Sequence, residues 1–417
     1  MAATLESVKV GTIEIPLIYE EERTLPIVSA QIVFTNAGSL SDPIPGTAKI
    51  ASRILNEGSK RLGSVGFAKA LEEKAIMLQV GNGYETMTLD LSSLKENFPH
   101  GVALVAELLS DPNLTPATFK KVKTMARASL LRKENDYDYL ADAALKALLF
   151  PITPLAYPQN GTLESLEKIT LTATKTFITT HLTKRNAIVV IGGDVTLQEA
   201  KEAAIKILSS LPEGAASQTP RYSVSATGGY SEIIKPETQQ AYLYFGAPLN
   251  LEINSPDAYK GKVASFILGA SGFGSRLMEE IRVKRGLAYS AYGRFQLNKS
   301  HSLFSGYLQT KLASQAEAQK IVREVVAEFV KHGATAKELE GAKKFLLGSE
   351  PLRNETLSQR LSRSFTEYYN GLKLGFSKEE LTKISNLTLD ELNSFIASHG
   401  EIANLSFAIV TAKPAKK

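Results

Sequence analysis

The chain has 417 residues, 43% of them hydrophobic and 22% charged, with a formal net charge of +5 and no cysteine. That length exceeds what a single hydrophobic core supports and predicts two domains. A mild charge, with Lys and Arg interspersed among Glu and Asp, predicts no nucleic-acid partner. Lack of cysteine excludes disulfides, thiol nucleophiles and thiolate metal sites, and no window approaches about eighteen uninterrupted apolar residues, so no membrane span is predicted.

The opening stretch, MAATLESVKVGTIEIPLIYEEE, has neither the basic start nor the apolar run of a signal peptide. The compartment is left open between a bacterial periplasm, if a leader has been trimmed, and the cytoplasm. Ile27 to Phe34 (IVSAQIVF) reads as a strand and Thr35 to Pro45 as a loop. Gly46 to Glu57 carries apolar residues at Ile50, Ala51, Ile54 and Leu55, a helical stripe closed by Gly58. A helix over Ser64 to Ala75 and strand-like segments from Ile76 to Leu91 follow. Further helices are predicted over Gly101 to Leu109, from Thr115 where Thr-Pro-Ala supplies a cap and a first-turn proline, near Tyr137 to Phe150 and over Leu171 to Leu182. Ala187 to Ile191 closes the half as an apolar strand.

The second half repeats this order. Ala241 to Phe245 is the matching first strand and Ala258 to Leu268 the matching helix. Glu164 to Ile169 (ESLEKI) finds its counterpart in Glu379 to Ile384 (EELTKI), and both precede a helix and a final apolar strand, at 187–191 and 405–410. Pro212 to Pro220 (PEGAASQTP) is a small-residue linker. The fold class is therefore α+β: two homologous domains, residues 1–212 and 221–417 joined by a linker at 213–220, each an antiparallel sheet covered by helices on one side.

One stretch of the second half stands out, Gly269 to Tyr292 (GASGFGSRLMEEIRVKRGLAYSAY). A glycine-broken turn leads into a charged helix and then an aromatic strand. Arg282 is followed seven residues later by Tyr289, a planar donor and a phenol that together can hold a peptide carbonyl. From these residues alone, Arg282 on a solvated helix face with Tyr289 filling core is the more ordinary reading.

The wording GFGSRLMEEIRVKRGLAYS, the LRNETLSQRL helix near 352–361 and the duplication together resemble the inverzincin metallopeptidases: pitrilysin, insulin-degrading enzyme, mitochondrial processing peptidase and their small bacterial relatives. The resemblance covers nearly the whole chain. Active members carry H-x-x-E-H on a helix of the first domain, two histidines holding zinc and the glutamate activating water. The corresponding helix here is GTAKIASRILNEG, in which the first histidine becomes Lys49, the glutamate Ser52 and the second histidine Arg53. Zinc needs neutral imidazole or anionic ligands, and arginine stays protonated, so the degenerate motif cannot bind it. The region of the third ligand, Met125 to Leu131 (MARASLL), contains no acid. His100, His181, His301, His332 and His399 form no H-x-x-x-H pair. No metal or other cofactor is expected in this chain.

What the resemblance retains is the other half of an active site. In the family an arginine and a tyrosine of the second domain, seven residues apart, complete a site formed by the first domain of the same chain or of a partner. They fall on Arg282 and Tyr289, implying that the first orients the substrate backbone and the second donates to the oxyanion. The glycine turn does not fit G-x-G-x-x-G, so no nucleotide site is expected. By analogy with the glycine-rich loop of the non-catalytic processing-peptidase subunit, Gly272, Phe273 and Gly274 are candidate substrate contacts.

The leading expectation is thus a zinc-less, non-catalytic subunit of a bacterial heteromeric metallopeptidase, inactive alone. Its partner would be a homologous H-x-x-E-H subunit holding zinc, and its substrate an extended peptide. The alternative is a structural or peptide-binding protein of the same fold, like the core subunits of the respiratory bc1 complex. A homodimer with zinc-independent hydrolysis has no marked nucleophile, since the chain lacks cysteine and any G-x-S-x-G elbow.

Overall fold

The computed structural model describes residues 3–226 and 228–412. The first half runs β1 (Thr4–Val10), β2 (Ile13–Glu21), β3 (Ile27–Thr35), α1 (Thr47–Leu55), α2 (Gly63–Glu72), β4 (Met77–Asn82), β5 (Thr86–Leu94), α3 (Phe98–Ser110), α4 (Pro116–Lys133), α5 (Tyr137–Leu149), α6 (Leu163–Lys168), α7 (Leu171–His181), β6 (Ala187–Gly193) and α8 (Leu197–Leu208). The second half runs β7 (Tyr230–Ile234), β8 (Gln240–Pro248), α9 (Ala258–Ser265), α10 (Arg276–Met278), β9 (Ala288–Leu297), β10 (Ser302–Lys311), α11 (Gln315–His332), α12 (Ala336–Gly348), α13 (Leu357–Tyr369), α14 (Phe376–Asn386), α15 (Leu389–Ser398) and β11 (Ser406–Thr411). The helix over 352–361 begins later than its sequence suggests, because Thr356 is its N-cap and forms a capping box with Gln359. Among the described residues no helix is long and apolar enough to cross a membrane.

The first compact unit is built on a six-stranded sheet ordered β1-β2-β6-β3-β5-β4. Its core joins Leu17, Ile32, Phe34, Leu89 and Val189 to α3, α7 and α8. The second unit has a five-stranded sheet, β7-β11-β8-β10-β9, with Leu243, Phe245, Phe304 and Ile409 packed under α9, α11 and α15. Neither sheet is wholly antiparallel: β2 and β6 pair in parallel, as do β11 and β7. The returning last strand of each half inserts between two strands that run in opposite directions, so one of its two pairings must be parallel.

That insertion explains the composition of the last strands. Every residue of β6 and of β11 is buried, and their middles, 187–191 and 407–410, are continuous apolar runs instead of alternating ones. In β6, Val189 and Ile191 face the main core, while Ile188 and Val190 join Ile18, Val33 and Leu361 in a second apolar layer. A sheet buried on both faces needs a helix on each, and helices on one side only do not suffice. The covering helix comes from the other half of the sequence: residues 352–375, with α13, belong to the first unit and 132–157, with α5, to the second. The division near Thr219 and Pro220 otherwise separates the two units.

Candidate functional site

In the second unit the glycines of the 269–274 turn have distinct physical tasks. A Cβ on Gly269 would lie 2.6 Å from both the N and the O of Gly293, so α9 and its continuation rest directly on the backbone of β9. Gly269→Ala is expected to cost about 1–3 kcal/mol through this overpacking, read as a lowered urea midpoint. Gly272 (φ 68°) and Gly274 (φ 87°) turn the chain in the left-handed region. Ser275 then caps α10, its hydroxyl accepting from Met278 N–H at 3.4 Å while donating to Gly272 O at 2.7 Å. The helix continues as a π turn over Glu279–Val283, which buries Ile281 and leaves Arg282 half-exposed.

Tyr289 reaches Arg282 through a defect in the sheet. The register of β9 against β10 runs Ala291 to Leu308 and then Ala288 to Thr310, so β9 carries one extra residue at Tyr289–Ser290. Such bulges redirect side chains, and Tyr289 is 83% exposed. The reading in which it fills core is therefore excluded. The Arg282 guanidinium carbon lies 4.4 Å from the centre of the Tyr289 ring and 4.6 Å from that of Phe273. Each contact of this kind is worth about 0.5–1 kcal/mol at an exposed site. Both rings lie against the guanidinium, and among the described residues neither its N–H groups nor the Tyr289 hydroxyl has a hydrogen-bond or ion-pair partner. Phe273 is thus placed as a support for Arg282, while Gly272 and Gly274 shape the turn that presents it.

The sequence reading missed an adjoining row of aromatic rings. Tyr292 packs on Tyr307 at 5.6 Å between ring centres, and Tyr307 stacks on Tyr244 at 5.5 Å. The Tyr244 hydroxyl donates to Asp138 on α5 at 3.1 Å, and burial, then the Asp138 charge, pushes the phenol well above its usual range. Gly272 lies against the row, since its Cβ would sit 3.5 Å from the Tyr292 ring. Only strand register brings β9, β10 and β8 together in this way.

The degenerate motif lies in the first unit, on α1. Ile50 and Ile54 pack against Val122, Ala126 and Leu130 of α4, the region where the sequence lacks an acid. Asn56 ties α1 to β4, donating to Val80 O at 2.8 Å and accepting from Val80 N–H at 2.9 Å. Ser52 is 1% exposed, with its hydroxyl 3.1 Å from Asn82 Oδ1. Lys49 and Arg53 are half-buried. Burial and then the Arg53 charge hold the Lys49 ammonium below its usual range, and burial does the same to Arg53. Among the described residues no group of three His, Asp or Glu side chains converges as a metal site. Two cations and a hydroxyl already engaged with an amide do not fit zinc.

Asp42 fixes the start of α1, accepting from Gly46 N–H at 2.7 Å and Ala48 N–H at 2.6 Å. Burial outweighs these donors and pushes its carboxyl from an ordinary 3.8 up to about 7. The folded state therefore holds this proton more tightly than the unfolded chain. Its contribution to stability is fully present below about pH 4 and is lost as pH rises through about 7. The urea midpoint of wild type is expected to fall relative to Asp42→Asn across that window, and parallel curves would contradict it.

Residues 18–163 match the model of the insulinase family (peptidase family M16), and residues 168–346 match that of the peptidase M16 inactive domain. The chain belongs to peptidase family M16. A relative in Helicobacter pylori, described as a non-peptidase homolog, YmxG, is 43% identical over 100% of this chain and 96% of its own length. A Bacillus subtilis relative described as an uncharacterized zinc protease is 24% identical over 72% of this chain and 69% of its own. The fold is that of a Pseudomonas fluorescens protein solved as a peptidase M16 inactive domain, with a TM-score of 0.91, 24% identity, and coverage of 100% of this chain and 99% of that one. The donor set of α1, two cations and an engaged hydroxyl, makes the chain a zinc-less M16 member.

Proposed function

We propose that this chain is the non-catalytic subunit of a heteromeric zinc metallopeptidase that degrades or processes peptides. It supplies Arg282 and Tyr289 to the active site of a homologous partner bearing H-x-x-E-H. The observation that carries the reading is the exposed, unbonded Arg282–Tyr289 pair in a chain whose own α1 cannot bind zinc. A scaffold has no use for an unbonded guanidinium and phenol held side by side. Arg282 orients the substrate backbone through its N–H edge, and Tyr289 donates to the oxyanion that develops at the scissile carbonyl. The substrate is an extended peptide, recognised mainly through its main chain.

The test is peptide cleavage by this chain alone, by an H-x-x-E-H partner alone, and by their mixture. Cleavage only in the mixture is the expected result. A partner equally fast without this chain would sink the reading. It would leave the second one, a structural or peptide-binding protein, which is favoured by the description of the Helicobacter pylori relative as a non-peptidase.

A further inference from the structure

We infer that Lys49 and Arg53 form an anion site that takes a carboxylate, directly on the helix where active relatives hold a metal. The inference concerns α1 alone and stands whether or not the chain assists a peptidase partner.

The two cations lie one turn apart, Ser52 between them, and both are half-buried. Among the described residues neither has a hydrogen-bond or ion-pair partner. Like charges at this spacing repel along a helix, and partly buried charge without a partner is costly. The acids nearest in sequence are already committed. Asp42 is taken up by the backbone N–H groups of Gly46 and Ala48. Glu57, one turn beyond Arg53, binds Lys121 at 2.6 Å and Ser64. Among the described residues no acid is paired with either cation.

The helix is tied down where it carries these cations. Asn56 pins it to Val80 at two points, and Ile50 and Ile54 are locked in the apolar cluster with α4. Lys49 and Arg53, one turn apart on the tethered helix, thus present a point-charge ammonium and a planar guanidinium fork on one face. A guanidinium matches the two oxygens of a carboxylate, and the ammonium supplies the second charge. Active relatives present a dication here; this chain presents two fixed monocations, and the attraction for oxygen anions persists without a metal. The carboxylate can belong to a peptide, as its C-terminus or an acidic side chain, or to a small free anion.

The experiment measures binding of a fluorescent hexa-alanine peptide to the full chain, as the free acid, as the C-terminal amide, and as an amide bearing one internal glutamate. It also follows the melting temperature against sodium acetate. Wild type is expected to bind at least one carboxylate-bearing peptide about tenfold or more tightly than the neutral amide, or to be stabilised by acetate. Preference among the peptides assigns a chain-borne carboxylate, and an equal effect of acetate alone assigns a free anion. Lys49→Gln/Arg53→Gln should abolish the preference and the acetate effect, and should melt higher than wild type without ligand. The single variants should each lose about threefold or more. Lys9→Gln/Lys60→Gln, which removes the same net charge elsewhere on this unit, should behave as wild type. Absence of any carboxylate preference in wild type, its survival in the double variant, or an equal loss in the remote control would overturn the site.

Discussion

Arg282→Ala is expected to slow peptide cleavage by the two-subunit mixture about a hundredfold, with assembly intact by gel filtration. Removing one preorganised donor from a developing oxyanion or its substrate clamp has an effect of this order. Tyr289→Phe separates the two tasks of the tyrosine. It keeps the ring against Arg282 and deletes only the hydroxyl, so a loss of similar size in kcat with little change in KM would locate the hydroxyl in the transition state. Arg282→Lys keeps the charge but not the planar group that rests on both rings, and should rescue little. Phe273→Ala should cost only about two- to fivefold, since Tyr289 still supports the guanidinium. If both Arg282→Ala and Tyr289→Phe match wild type, the pair is a surface stack without a role in cleavage.

Arg360→Ala is expected to destabilise the first unit by about 3–5 kcal/mol, the cost of stranding a buried carboxylate. Glu20 is 2% exposed, and Arg360 on α13 donates to it at 2.6 Å while also reaching Glu22 at 3.3 Å and the Glu355 carbonyl at 3.1 Å. The loss should appear as a lower urea midpoint together with faster amide exchange in β2 and β6, the strands under α13. Glu20→Gln/Arg360→Met, which removes both charges, should recover most of it. A single-variant loss below about 1 kcal/mol would show that Leu361 and its apolar neighbours hold α13 without the ion pair.

These two sites differ in how far the sequence discloses them. Arg282 and Tyr289 are seven residues apart, and the glycine turn, helix and aromatic strand around them follow from local propensity. The sequence cannot say which way Tyr289 points, because a one-residue bulge decides it. Phe273 reads locally as a loop residue. Its use as a support for Arg282 depends on Gly272 and Gly274 folding the turn back toward the helix. Glu20 and Arg360 give no local signal at all: a glutamate in a strand and an arginine in a helix, 340 residues apart, are ordinary surface residues until the helix crosses to the other half's sheet.

The sequence by itself determined the duplication, the mixed α and β content and the loss of zinc chemistry. All three rest on short-range pattern or on residue identity: apolar period, caps and turns within a dozen positions, and the charge and donor atoms of Lys49, Ser52 and Arg53. Only the tertiary structure decided the exchange of α5 and α13 between units, the parallel pairing of β6 and β11, the exposure of Tyr289 and the lack of an acid partner for Lys49 and Arg53 among the described residues. The apolar runs of β6 and β11 announce burial on both faces. Which helix provides the second cover is a competition among amphipathic segments far apart in the chain, settled by register, side-chain fit and the pairing of buried Glu20 with Arg360.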